Sequence, residues 1–342
     1  MNLIEEPLVK KGVMPDLHVG SGNFQFNSQR SGEKAPITVF YHMPKKYTPD
    51  TKILLVVPGA GRNAWDYRDS WVDLSEKYNV LVVSPSYSEE AYDYAAYHLA
   101  GIVTGIEFKN YTVSKVNGRI NKYHVADKDV ITGEVTPPNA WLFRDFDDIF
   151  NQVVHLANSN RQNYDVFGHS AGGQILHRMA IFYTESKADR IIASNSGSYT
   201  LPSFESEYPF GVKGTTLQKK SFTKVFSQNL TVLVGEQDND TEKRGTMLHT
   251  SSLDRQGLGR LSRGKTFYNE SRRSANEFGS ELEWGFCMVE GVGHDHRKMG
   301  QAAARRLYDG QKCTTKMSIW PRSALLHSAY YIGVRREEIS KV

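Results

Sequence analysis

Short, wholly apolar runs punctuate this chain, and most end on turn residues. Ile37 to His42 read as a strand. Ile53 to Val57 follow, rich in β-branched residues, and stop at Pro58-Gly59-Ala60-Gly61; Asn79 to Ser84 repeat the pattern and stop at Pro85. Runs of this kind suit central strands of a parallel sheet covered on both faces. Tyr164 to Gly168, Ile191 to Ser194, Thr231 to Gly235 and Glu283 to Glu290 add four more. Between them the period changes to that of helices. Trp65 to Lys77 is one expected helix and Trp141 to Asn158 a stronger one. There Leu142, Phe146, Ile149, Val153 and Ala157 form a stripe, and Asp145, Asp147 and Asp148 sit near the dipole's positive end. Ala171 to Thr184 and Met299 to Tyr308 complete the set. Strands alternating with helices predict a three-layer α/β architecture with a mostly parallel central sheet.

Two stretches break the alternation. Residues 86–140 hold a possible helix at Tyr92 to Ile102, then polar, hairpin-like sequence around Asn117-Gly118 and Thr132-Gly133. Residues 239–282 are polar and rich in glycine and arginine. Both are expected to be insertions near the face that carries the site, since long irregular segments commonly shape pockets. Residues 1–35 read as an irregular lead-in, 36–310 as the folded domain, and 311–342, with Trp320-Pro321 and Tyr330-Tyr331, as a carboxy-terminal extension.

Charge sharpens one of these segments. The 342 residues carry a formal net charge of +4, too mild to imply nucleic-acid binding. Between Thr241 and Ser280, eight Lys and Arg face four acids, so this segment's own excess equals that of the whole chain. Bordering a pocket, it would attract an anionic or carboxylate-bearing ligand; otherwise it is a solvated loop. Trp65, Tyr67, Tyr87, Tyr92, Tyr94 and Tyr97 are expected either to line a binding site for an apolar or aromatic group or to pack in the core. No run approaches the roughly 18 apolar residues of a membrane span. Cys287 and Cys313 are too few for a disulfide scaffold or a thiolate metal site. Cys287, inside Gly285-Phe286-Cys287-Met288-Val289, is expected to be buried and inert, with a single bridge left open. The amino terminus has no basic region followed by an apolar stretch, so a cytoplasmic location is expected; a secreted mature form would read the same.

The chemistry concentrates at residues 168–172, Gly-His-Ser-Ala-Gly, between a strand and a helix. That context projects a serine hydroxyl at the end of a sheet, which makes Ser170 the expected nucleophile rather than a simple helix cap. A serine needs a base to take its proton, and the base needs an acid to orient it. Asp238, just past Thr231 to Gly235, is the expected acid, with Asp240 as the alternative. His294, in Gly291-Val292-Gly293-His294-Asp295-His296, is the expected base, with His296 as competitor. A His-x-His pair without a third ligand does not make a metal site, and His155, His169 and His177 read as structural or pocket-lining. Backbone N–H groups of Ala171 and of Ala60, or of Gly61 instead, are the expected oxyanion donors. The glycine-rich turn at residues 58–61 lacks the residues of a P-loop and the spacing of a dinucleotide fingerprint.

With these motifs in place the sequence resembles the α/β-hydrolase superfamily, and within it bacterial esterases of the polyhydroxyalkanoate depolymerase and feruloyl esterase group. The resemblance spans roughly residues 35 to 310. It rests on the PGAG turn, the GHSAGG elbow, Gly235 to Asp238 and Gly291 to His294. The chain departs from the group's usual His-Gly pair, having Pro58-Gly59. The resemblance implies a cofactor-free serine hydrolase cleaving a small-molecule or polymer ester through an acyl-enzyme. An amidase or peptidase with the same residues, or a non-catalytic binding relative, are the alternatives. Oligomeric state stays open.

Overall fold

The computed structural model describes residues 16–30 and 35–313. In chain order its elements are β1 (Gly20–Phe26), β2 (Ile37–Met43), β3 (Lys52–Val57), α1 (Ala64–Asp69), α2 (Val72–Tyr78), β4 (Val80–Ser86) and α3 (Tyr94–Tyr97). Four short strands follow: β5 (Ile106–Phe108), β6 (Thr112–Val116), β7 (Arg119–His124) and β8 (Val130–Thr132). Then come α4 (Phe143–Leu156), β9 (Tyr164–His169), α5 (Ala171–Phe182), β10 (Ala188–Ser194), α6 (Phe222–Phe226) and β11 (Leu230–Gly235). The last are β12 (Met247–His249), α7 (Ser251–Gln256), α8 (Arg260–Glu277), β13 (Gly285–Val289) and α9 (His296–Tyr308).

Eight strands form one sheet in the order β1-β2-β4-β3-β9-β10-β11-β13. β1 and β2, and β2 and β4, pair antiparallel; from β4 onward every pairing is parallel. Successive side chains of a strand point to opposite faces, so an all-apolar strand feeds two cores. In β3, Ile53, Leu55 and Val57 join one core under α4, α5, α6 and α8. Leu54 and Val56 join the other, under α1, α2 and α9 with Trp71 and Met299. Each fully buried side chain of this size contributes roughly 1.5–3 kcal/mol. The layered α/β expectation therefore holds.

Four local readings change. Residues 20–26 are a strand, not irregular lead-in, because Phe24 and Phe26 alternate with polar residues and bury against β2. The expected helix over Trp65 to Lys77 is two, α1 and α2. Residues 239–282, read as irregular, contain the 18-residue helix α8. Its buried stripe is Arg260, Arg263, Gly264, Phe267, Ser271, Ser274 and Ala275, so the helical period is carried mostly by polar and small residues. Cys287 is buried as expected but is not a free thiol; it is disulfide-bonded to Cys313.

The two insertions meet. Asn117 and Gly118 take positive φ values of 49° and 77° and close the expected β6–β7 hairpin. Thr132-Gly133 forms no hairpin; β8 pairs instead with β5. From the second insertion, β12 pairs parallel to β7, completing a three-stranded sheet beside the main one. Among the described residues no helix is long and apolar enough to cross a membrane. Trp320-Pro321 and Tyr330-Tyr331 lie outside the described residues.

Candidate active site

Five loops leave the carboxyl ends of the adjacent parallel strands β3, β9, β10, β11 and β13 and converge. After β9 the chain turns sharply into α5 with Ser170 at φ 59° and ψ −115°, a conformation costly for any side chain. Gly168 and Gly172 make room for this turn. A Cβ on Gly168 would come 2.5 Å from the Gly172 carbonyl oxygen, and one on Gly172 would come 2.1 Å from that of Val57. The Ser170 amide donates to the Ser194 carbonyl at 2.9 Å, tying the elbow to β10.

Asp238 follows β11 and His294 follows β13. The Gln237 amide donates to the Val292 carbonyl at 2.8 Å. Asn195, itself at φ 47°, braces both loops: its amide donates to the Gly293 carbonyl at 3.2 Å and its side-chain oxygen accepts the Gly235 N–H at 2.9 Å. The result is a continuous hydrogen-bonded chain. His294 Nδ1 lies 2.7 Å from Asp238 Oδ2, and Nε2 lies 3.1 Å from Ser170 Oγ. An ionised carboxylate only accepts, so the ring proton belongs on Nδ1 and Nε2 is left as the acceptor for the serine hydroxyl. An imidazole so held can take the serine proton as the oxygen attacks a carbonyl.

Electrostatics favour the neutral imidazole. Burial first, and the Arg260 charge second, hold the His294 imidazole well below its usual range, so it is neutral near pH 7. Burial raises the Asp238 carboxyl, and the Arg260 guanidinium, 3.0 Å from Oδ1, opposes that rise. Asp240, the alternative acid, is exposed, whereas Asp238 is fully buried. His296, the alternative base, stacks on Tyr67 with ring centroids 4.4 Å apart and faces Asp66 at 3.4 Å. His169 contacts Tyr67 through Nδ1 at 3.3 Å and packs 4.5 Å from the His294 ring; burial keeps it neutral. His177 bridges the Gly173 carbonyl and the Thr200 amide, and His155 is exposed on α4.

Ala60, Gly59 and Gly61 line the same cleft as Ser170. Ala171 begins α5 directly after the serine, where helix N–H groups have no intrahelical partner. The turn bearing Ala60 is tethered from outside. Tyr97 donates to the Pro58 carbonyl at 2.8 Å. Arg62 runs inward over the Tyr97 ring and donates to the Tyr87 and Tyr92 carbonyls. The expected aromatic set thus divides: Tyr67 and Tyr94 line the cleft, Tyr87, Tyr92 and Tyr97 are buried, and Trp65 is 55% exposed.

The cleft encloses about 900 Å³. Its far wall comes from both insertions, with Ile106, Phe108, Tyr111 and Tyr123 from the first and Arg244 to Thr246 and Leu248 from the second. Arg244 is the one Lys or Arg among the lining residues, and it is bonded to Glu242 through Nε at 3.1 Å and Nη2 at 2.8 Å. Arg260 and Arg263 are buried in ion pairs with Asp238 and Asp254. Of the eight basic residues in the segment, Arg244, Arg260, Arg263 and Arg273 are thus paired with acids of the same segment or of the adjoining Asp238 loop. Glu242, Gly245, Arg260 and Asn195 were not legible as site residues; the one available signal was the spacing of Arg260, Arg263 and Phe267 on one helical face.

No family model matches the chain, and neither does any curated protein. Solved structures do. Poly(aspartic acid) hydrolase-1 from Sphingomonas sp. KT-1 superposes with a TM-score of 0.71 at 28% identity, over 84% of this chain and 98% of that one. LpqC, a poly(3-hydroxybutyrate) depolymerase from Bordetella parapertussis, gives 0.71 at 25% identity, over 91% of this chain and 95% of that one. The siderophore hydrolase EstB from Aspergillus nidulans shares the fold alone, with a TM-score of 0.50 at 15% identity over 85% and 95%. The chain has the α/β-hydrolase-superfamily fold, and in that fold it resembles a poly(aspartic acid) hydrolase and a poly(3-hydroxybutyrate) depolymerase.

Proposed function

We propose that the protein is a serine hydrolase that cleaves carboxylic esters through an acyl-enzyme. The observation that carries this reading is the aligned Ser170–His294–Asp238 chain, at 3.1 and 2.7 Å, opening on a cleft lined by apolar and aromatic groups. Ser170 Oγ attacks the ester carbonyl as His294 Nε2 takes its proton, and Asp238 steadies the imidazolium. Backbone N–H groups of Ala171 and Ala60 hold the oxyanion. His294 returns the proton to the leaving alcohol, then removes one from the water that attacks the acyl carbonyl and frees Ser170. A mere binding module has no need of so ordered a chain.

The cleft favours an uncharged substrate, since its single Arg is already bonded to Glu242. The likeness to a poly(3-hydroxybutyrate) depolymerase supports a polyester or a small ester. The likeness to a poly(aspartic acid) hydrolase favours a second reading, an amidase with the same residues, because poly(aspartic acid) is amide-linked. The Cys287–Cys313 bridge supports an oxidising compartment over the cytoplasm.

Hydrolysis of p-nitrophenyl esters of increasing acyl length, beside matched anilides, tests these readings. Ester turnover abolished in Ser170→Ala is the expected result. Comparable turnover in that variant would overturn the assignment of Ser170, and turnover confined to anilides would make the protein an amidase.

A further inference from the structure

Asp238 has two carboxylate oxygens and no exposure to solvent, so each oxygen needs a partner inside the protein. Oδ2 faces His294. Oδ1 faces Nη1 of Arg260, 3.0 Å away at the start of α8, in a segment expected to be irregular. Arg260 is only 2% exposed. Its other terminal nitrogen, Nη2, donates to the Thr246 carbonyl at 3.2 Å. Thr246 belongs to the cleft wall, and the preceding Gly245 lies against the His294 ring. A Cβ on Gly245 would come 2.8 Å from His294 Cδ2 and 2.9 Å from Arg260 Nη2.

We propose that Arg260 is a positioning residue for the reaction, one guanidinium fixing both the acid that orients His294 and the wall segment that confines its ring. This inference rests on the acyl-transfer reading above. The planar fork is what allows it: two nitrogens at a fixed separation set the distance between Asp238 Oδ1 and the Thr246 carbonyl. Without the fork, Oδ1 is buried with no donor, and the carboxylate is free to rotate away from Nδ1 or to take up a proton.

The charge has a second effect, with a definite sign. The groups facing the His294–Asp238 pair are Ser170, His169, His296, Glu242, Arg244 and Arg260. Arg260 is the cation in direct contact with the carboxylate. Its charge favours ionised Asp238 and disfavours imidazolium at His294. Removing it raises both pKa values, so the neutral-imidazole, ionised-carboxylate state is lost at a higher pH on the acid side.

The test compares Arg260→Met with Arg260→Lys in the full chain, using kcat, KM and the pH profile of kcat/KM on the best p-nitrophenyl ester. Arg260→Met is expected to lower kcat about 100-fold, the scale of a small misplacement of reacting groups, with KM little changed. Its acid limb should move up by about one pH unit. Arg260→Lys restores the charge but not the fork, so the limb should return while kcat recovers only in part. Arg263→Met is the control. Arg263 is buried on the same helix and bonded to Asp254 and to the Gly197 and Leu248 carbonyls, so its loss should lower Tm without moving the limb.

Should Arg260→Met fail to fold, Arg260→Lys decides alone: reduced kcat with an unmoved limb supports the inference, and wild-type kcat overturns it. A folded Arg260→Met with unchanged kcat and profile also overturns it. In either case Ser170-dependent ester turnover would leave the hydrolase reading standing, whereas Ser170→Ala retaining turnover would remove the reading itself.

Discussion

The Glu242 carboxylate accepts the backbone N–H of His294 at 2.8 Å, so an acid from the second insertion holds the main chain of the histidine at the mouth of the sheet. Arg244 bonds the same carboxylate and also faces Asp295 at 3.6 Å. The histidine loop is thus fastened by a segment 52 residues earlier in the chain.

This contact sets the sign of one pH effect. The Glu242 charge favours imidazolium at His294, opposite to Arg260. In Glu242→Gln that charge is gone and Arg244 keeps only the more distant Asp295, so the acid limb of kcat/KM should move to lower pH. A shift to higher pH would contradict the assignment.

Glu242 also links pH to stability. Burial raises its pKa, but Arg244 and the His294 and Arg244 amides outweigh burial and hold it at about 2. A pKa lower in the folded than in the unfolded chain stabilises above the ordinary glutamate value, and the benefit is lost as pH falls toward 2. Urea unfolding should therefore find the wild type more stable than Glu242→Gln near pH 6, with the gap closing between about pH 4.5 and pH 2.

Gly245 sits at φ 67° against the His294 ring. Gly245→Ala adds a methyl where 2.8 Å is available and strains a left-handed backbone. The imidazole must shift or the wall must retreat, and kcat/KM should fall by about 10- to 100-fold. Thermal unfolding should show a loss of about 1 kcal/mol as well. Wild-type kcat/KM would show that the ring is not confined there.

The Cys287–Cys313 bridge closes a loop over β13 and α9, the elements flanking His294. Cys313→Ser should cost about 3 kcal/mol in urea unfolding. Intact mass under non-reducing and reducing conditions checks the bridge directly, by a gain of about 2 Da on reduction.

Much of the fold is legible in the order of residues because it is built from local rules. Ile53 to Val57, short, β-branched and stopped at Pro58-Gly59, reads as a strand buried on both faces. The stripe on α4 has the helical period, and Gly-His-Ser-Ala-Gly between a strand and a helix specifies a sharp turn whose crowding excludes side chains at Gly168 and Gly172. Ser170, Asp238 and His294 could be named because each follows a strand whose apolar run ends visibly beside it. Their bonding depends on distant chain. Preference for Asp238 over Asp240 rested on distance from a strand, whereas the structure separates them by burial and by contact with His294. The reach of Arg260 to Asp238, the hold of Glu242 on His294 and the pairing of β12 with β7 carry no local signature. A buried arginine or glutamate reads in sequence as a solvated one, because what permits its burial is a partner tens of residues away. The sequence by itself determined the central strands, the elbow and the order of Ser170, Asp238 and His294, which are encoded in neighbours along the chain. Tertiary structure alone decided which charges are internal, since desolvating a charge is affordable only where folding has already placed its opposite.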